Sequence, residues 1–189
     1  IGYNKGGTFW DRFVVRVAPA ENNLPYREAS RINIHRDTWG TNLYQQINWW
    51  APVSNVEEKN TMIFYPDYFD VPVKNTTSTW DLNIYLANRK KGDFSYPSAP
   101  QLKEDLPSNI KKIPVTIKPG EILCFSGAHL HSSSKEKSEN TRISFEIRTI
   151  CENDLNSSAQ APNVDCDLQW KFPKIFKKIN DNSPLKITS

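Results

Sequence analysis

A chain of 189 residues with 24 Lys and Arg against 21 Asp and Glu carries a formal net charge of +3 with its histidines neutral. That is one domain's worth of polypeptide, and its charge is too small and too dispersed to mark nucleic acid or an anionic membrane as a partner. With 38% hydrophobic and 24% charged residues the composition is globular; no run approaches the roughly 18 to 20 apolar residues of a spanning helix, and no charged segment followed by an apolar stretch opens the chain, which starts at Ile1 rather than Met. Cys124, Cys151 and Cys166 are odd in number and lack C-x-x-C spacing, so they indicate neither a disulfide framework nor a zinc ribbon and point to a reducing, cytoplasmic setting.

Thirteen prolines, 12% aromatics and short β-branched runs between turn signals predict an all-β domain, because such residues suit a pleated surface and proline interrupts helices. Strands are expected over Thr8 to Val17, Ser30 to His35, Asn42 to Trp50, Trp80 to Leu86, Ile113 to Ile117, Glu121 to Phe125 and Thr141 to Ile150, enough for a sandwich or barrel. Between Asn88 and Lys112 the chain turns polar and Pro-rich, which predicts a long loop in the position of a lid, with one short helix around Gln101 to Asp105. After Cys151, Trp170, Phe172 and Phe176 stand among lysines and predict an extension laid across the body by aromatic anchors. The whole reads as a single domain over 1–189, with its core from about residue 8 to 150, the long loop at 88–112 and a C-terminal extension at 151–189. Asn75-Thr76-Thr77 and Asn156-Ser157-Ser158 match the glycosylation acceptor pattern but carry little weight without a secretory signal.

The chemistry concentrates in two segments. In Ile34-His35-Arg36-Asp37 the side chains of His35 and Asp37, two apart on an extended chain, point to one side and offer an imidazole nitrogen and a carboxylate oxygen to one point. A third ligand from His129 or His131, on a distant strand, completes a two-His-one-carboxylate face that leaves half an octahedron open, the arrangement of non-haem Fe(II) oxygenases. Alone, H-x-D is more often a surface hydrogen-bonded pair. The second segment raises its meaning: Pro119-Gly120-Glu121 turns into the apolar strand Ile122 to Phe125, Gly127 and His131 follow, and Arg142 and Ser144 then share one face of the next strand. A guanidinium grips a carboxylate in bidentate fashion and a hydroxyl two residues on adds a hydrogen bond, which suits the far end of a dicarboxylic cosubstrate. The competing reading makes Arg142, Glu146 and Arg148 a charged outer ladder, opposite the apolar Ile143, Phe145 and Ile147; parity leaves both open. Trp39, Trp49 and Trp50 are pocket-lining or core residues. Of Asn42, Tyr44, Gln46 and Asn48, alternating with Leu43, Gln45 and Ile47, one is expected to reach the cosubstrate.

Together, His35-x-Asp37, the Pro-Gly-Glu-apolar-Phe strand leading to His131, and Arg142-x-Ser144 resemble the Fe(II)/2-oxoglutarate-dependent oxygenases, most closely the phytanoyl-CoA dioxygenase-like group, over Ser30 to Thr149. The resemblance implies a double-stranded β-helix (a cupin-like jelly roll) with few short helices, and His131 rather than His129 as the third ligand. It further implies Fe(II) as metal, Arg142 and Ser144 as holders of 2-oxoglutarate, O2 as co-reactant and hydroxylation of a small-molecule substrate. Related halogenases lack the carboxylate that Asp37 supplies. Ser132-Ser133-Ser134 departs from the Gly and Ser that often follow the distal His, and the N-terminal helices of the group are scarcely represented. The rival reading is a metal-binding cupin-like protein, an isomerase or ligand-binding module, without 2-oxoglutarate turnover; a third is an inert β-sandwich.

Overall fold

In the computed structural model, which describes residues 5–20, 32–93, 95–134, 136, 138–157 and 159–187, two antiparallel sheets carry the fold and helices are few and short. The larger sheet contains β1 (Thr8–Trp10), β2 (Val14–Ala18), β3 (Ile47–Pro52), β6 (Leu123–Ser126), β8 (Arg142–Cys151) and β9 (Lys177–Lys178), in the order β6-β3-β8-β1-β9 with β2 also on β8. The smaller sheet has the order β5-β4-β7, from β4 (Met62–Phe64), β5 (Ile113–Pro114) and β7 (His131–Ser133). The α-helices among the described residues are α1 (Thr38–Thr41), α2 (Leu82–Lys90) and α3 (Glu152–Ser157). No helix among the described residues is long and apolar enough to cross a membrane.

Register decides what faces inward. Ser144 stands opposite Arg16 on β2 and Pro52 on β3, while Glu146 opposes Trp50 and Arg148 opposes Asn48. Directly opposed residues share a face, so Arg16, Asn48 and Trp50 lie on the same side as Arg142, Ser144, Glu146 and Arg148. This is the inner side: Arg142 and Ser144 are 4% and 0% exposed and Ile143 between them is 37% exposed. The charged outer ladder is thereby excluded, and the apolar set Val15, Val17 and Ile143 forms the outer face.

Several expected elements are shorter or of another kind. The strand Thr8 to Val17 is broken between Trp10 and Val14, where the Asp11 carboxylate accepts from Arg148 N (2.8 Å) and Arg148 Nε (2.6 Å). The strand expected at Asn42 starts at Ile47, because Asn42 takes a left-handed backbone (φ 55°) that closes α1. Trp80 to Leu86 is not a strand: Asp81 caps α2 by accepting from Asn83 N (2.6 Å) and Ile84 N (3.1 Å), and this local cap overrides the β-branched and aromatic content. Gln101 to Asp105 is not helical, since the backbone of Gln101 and Lys103 is committed to residues 74–76 and Leu102 bridges Asn75. Of Ser30 to His35, residues 30 and 31 lie outside the described residues; His35 forms an isolated bridge to His131, and Ile32 O accepts from Ser133 N (2.9 Å). The Pro119-Gly120 turn forms as read, with Glu121 N donating to Lys118 O (3.0 Å) and Gly120 at φ 96°. Asn75 is buried and its amide donates to Val73 O and Asp165 O, which removes it as a glycosylation acceptor.

The C-terminal extension lies across the body as anchors predict. Phe176 is fully buried with Phe9, Leu43, Ile150 and Leu185, and Trp170 packs on the cluster of Trp39, Tyr65, Leu130, Cys166 and Leu168. Each fully buried large apolar side chain contributes about 1.5 to 3 kcal/mol. Leu102, Leu106 and Ile110 of the long loop pack on that second cluster.

Candidate metal centre

The two segments singled out in the sequence meet at one backbone bridge. His35 N donates to His131 O (2.9 Å) and His131 N to His35 O (3.0 Å), so both imidazoles leave the same antiparallel pair and their ring centroids lie 4.4 Å apart. Asp37 follows two residues on, where the chain turns into α1. His35 Nε2 is 3.6 Å from Asp37 Oδ1 and His131 Nε2 is 3.6 Å from Asp37 Oδ2. The ligand atoms of the three residues all lie within 4.8 Å of one another, and the two His–Asp separations of 3.6 Å fall inside the roughly 4.4 Å that two bonds of about 2.2 Å to one ion can span. His129 is outside this group: its Nδ1 faces Ser126 O (3.1 Å) and its ring packs on Phe69 at 4.5 Å.

Local bonding prepares each ligand. Nδ1 of His35 donates to Asn33 O (2.8 Å) and Nδ1 of His131 donates to His129 O (2.9 Å). A carbonyl only accepts, so each ring in its neutral form carries the proton on Nδ1 and turns the Nε2 lone pair toward Asp37. Two imidazole lone pairs and a carboxylate facing one another make a donor set that fits a divalent cation. Burial, and then the charge of His35, push the His131 pKa down to about 4, so this ring is neutral and able to ligate at physiological pH. Burial works to raise the Asp37 carboxyl, but His35 and His131, in their protonated forms, and the Arg148 guanidinium outweigh it and hold the group well below the usual carboxylate range.

Arg36, between the two ligands, points the opposite way and pins the segment. Its guanidinium is buried and donates to Ala128 O (2.6 Å), Tyr68 O (2.6 Å), Val71 O (3.0 Å) and Asp165 Oδ2 (3.2 Å). Asp165 also accepts from Trp39 Nε1 (2.7 Å), which ties the C-terminal extension to the ligand-bearing turn.

A cleft opens beside the ligands, lined by His35, His131, Met62 and Ser132 on one side and by Trp50, Arg142, Arg16 and Glu146 on the other. It lies between the two sheets. Arg142 donates to Ser144 Oγ at 3.4 Å, its guanidinium carbon stands 5.7 Å over the Trp50 ring, and its Nε is buried without a hydrogen-bond partner. Burial, and then the neighbouring Arg16, bring its pKa down to about 10 against the pull of Glu146. A buried guanidinium with an unused donor fits an anion from outside the chain. No described residue of 88–112 lines this cleft, and Leu102, Leu106 and Ile110 of the loop are used in packing.

Of the four alternating polar residues, Asn48 reaches the centre: its Nδ2 donates to Asp37 Oδ2. Gln46 lies behind it, Asn42 turns to the carbonyls of Leu168 and Trp170 (3.0 Å each), and Tyr44 packs on the Trp39 cluster. Trp50 lines the cleft, Trp39 is core, and Trp49 faces outward with Nε1 on Thr149 Oγ1 (2.8 Å). Sequence reading missed Arg16, which pairs with Glu146 at 2.5 Å, and the place of Arg148, 3.9 Å from Asp37 Oδ1. The polar parity of β8 was the available signal for Arg148, but it needed a known inner face.

No family model matches the sequence, and no curated protein matches it. Solved structures do resemble it. ThoJ, described as a non-heme monooxygenase, superposes in its apo form with a TM-score of 0.50 at 14% identity, over 77% of this chain and 47% of its own. EvdO2 from Micromonospora carbonacea var. aurantiaca gives a TM-score of 0.50 at 9% identity, over 77% of this chain and 52% of its own, and has also been solved complexed with 2-oxoglutarate. The chain thus shares a fold with these proteins and spans about half the length of each.

Proposed function

We propose that this protein is a non-haem Fe(II)- and 2-oxoglutarate-dependent oxygenase of the phytanoyl-CoA dioxygenase-like group, a single cytoplasmic jelly-roll domain that hydroxylates a small molecule. His35, Asp37 and His131 hold the metal, and Arg142 with Ser144 holds the far carboxylate of 2-oxoglutarate. One observation carries the reading: His35 and His131, two of the three convergent ligands, line the same cleft as a buried arginine with an unused donor. Likeness of fold to EvdO2, which has been crystallised with 2-oxoglutarate, supports it.

When bound, iron and 2-oxoglutarate supply the oxidising chemistry, with O2 as co-reactant and succinate and CO2 as coproducts. The chain's own residues do the rest. Nε2 of His35, Nε2 of His131 and one oxygen of Asp37 would hold the metal. The Arg142 guanidinium meets the incoming carboxylate in bidentate fashion, and Ser144 adds a hydroxyl donor. Trp50 and Met62 wall the cleft with apolar surface that excludes water.

The test is titration of 2-oxoglutarate into the anaerobic Fe(II) protein, followed by heat or by the metal-to-ligand absorption band. Removing one member of a buried charge pair costs about 3 to 5 kcal/mol, so at roughly 1.4 kcal/mol per tenfold Arg142→Ala lowers cosubstrate affinity at least a hundredfold and leaves metal affinity nearly unchanged. Arg142→Lys restores part, because it keeps the charge and loses the planar fork. Absence of 2-oxoglutarate binding by the wild type would favour the metal-only cupin, and wild-type affinity in Arg142→Ala would refute the clamp.

A further inference from the structure

The Asp37 carboxylate is held from behind by a row of buried side chains whose hydrogen bonds all run one way. The backbone N–H of Leu43, which can only donate, bonds to Thr41 Oγ1 (3.3 Å). The hydroxyl hydrogen of Thr41 is then free for Gln46 Oε1 (3.2 Å). Gln46 in turn directs Nε2 to Asn48 Oδ1 (2.9 Å), and Asn48 directs Nδ2 to Asp37 Oδ2. One end of the row is a pure donor and the other an acceptor-only carboxylate, so each amide and hydroxyl between them has a single orientation that satisfies both neighbours. Thr41, Gln46 and Asn48 are all buried, which removes water as a competitor.

The same row touches the loop that delivers His131. Gly127 N donates to Gln46 O (3.0 Å), and Gly127 O accepts from Thr38 N (3.2 Å), next to Asp37. A Cβ at position 127 would stand 2.6 Å from Gln46 Nε2, the atom that donates to Asn48. A side chain there would have to displace the Gln46 amide.

We infer that Thr41, Gln46 and Asn48 form an orienting relay in which Asn48 is a positioning residue for Asp37. By engaging Oδ2 it presents Oδ1 as the oxygen for the metal and keeps the carboxylate from chelating, so that half of the coordination sphere stays open. Arg148 Nη1, at 3.9 Å from Oδ1, is too far to compete by hydrogen bonding. The inference rests on the reading of His35, Asp37 and His131 as metal ligands.

Co(II) is a suitable probe, titrated into the full chain while its visible d–d absorption is followed. The wild type binds one Co(II), and Asp37→Ala abolishes binding. Asn48→Leu weakens binding by about 10- to 100-fold, the usual effect of losing a group that orients a ligand, and alters the d–d spectrum. Thr41→Val, which removes a hydroxyl two links away at nearly constant shape, moves the spectrum in the same direction with a smaller loss of affinity. Thr41→Ser returns the wild-type spectrum. Thermal melts establish that the variants fold, and if Asn48→Leu does not, the Thr41 pair carries the test. A Thr41→Val protein with wild-type affinity and spectrum overturns the relay and leaves the metal centre standing. Failure of the wild type to bind Co(II) overturns the metal centre and the relay with it.

Discussion

His131 must be neutral to bind a metal through Nε2, and its burial keeps it so at a cost that pH reveals. Its pKa in the fold is about 4 against an ordinary value of 6.5. Above pH 6.5 the ring is neutral in both folded and unfolded chains and contributes no pH dependence. Between pH 6.5 and about 4 the unfolded chain takes up a proton that the fold refuses, so stability falls with pH, by up to roughly 3 kcal/mol. Asp37 acts in another window: its carboxyl lies below its ordinary value of 3.8 in the fold, so its stabilisation is intact above 3.8 and is lost only below it. Urea denaturation in chelator at pH 7.5 and pH 5.0 is expected to show a lower midpoint at pH 5.0, and His131→Gln is expected to flatten the difference. Equal midpoints in the wild type would contradict the assignment of a buried neutral ring.

At the scale of elements, the centre depends on how the turn between His35 and α1 is clamped. Arg36 joins this turn to the carbonyls of residues 68, 71 and 128 and to Asp165 in the extension. Arg36→Leu strands a buried carboxylate and several carbonyls, so a loss of about 3 to 5 kcal/mol is expected in urea denaturation. Lys74→Ala breaks an ion pair whose side chains are 71% and 64% exposed, and is expected to cost less than about 1 kcal/mol. Similar effects of the two substitutions would refute the clamp. Arg36 was invisible as a clamp in the sequence because all of its partners are distant backbone carbonyls or the remote Asp165. The His35–Asp37 pair was legible because it needs only local parity, and the Pro119-Gly120 turn because its chemistry is contained in two residues. Trp80 to Leu86 was misread because aromatic and branched residues outweighed a capping aspartate at position 81, whose two backbone bonds start α2.

For the whole molecule, the site is where the two sheets face each other. The larger sheet brings Arg142 and Ser144 inward, and β7 of the smaller one brings His131, with His35 bridged to it. Which side of β8 is inward follows from its pairing with β2 and β3, and alternation in one strand carries no such information. The same holds for Asn48: its choice over Asn42, Tyr44 and Gln46 depends on the register of β3 and on the left-handed turn at Asn42. The long loop at 88–112 was assigned to the mouth from its length and composition, yet its leucines and Ile110 belong to a core cluster. The extension completes the body, with Phe176 in the core and Asp165 against the ligand turn.

The most direct measurement is a crystal structure of the protein grown anaerobically with Mn(II) and 2-oxoglutarate. The account predicts one metal ion bound by Nε2 of His35, Nε2 of His131 and a single oxygen of Asp37, with bonds of about 2.0 to 2.3 Å. It also predicts 2-oxoglutarate on the open face, its far carboxylate on Arg142 and Ser144. A metal held by other residues, or 2-oxoglutarate bound away from Arg142, would contradict it.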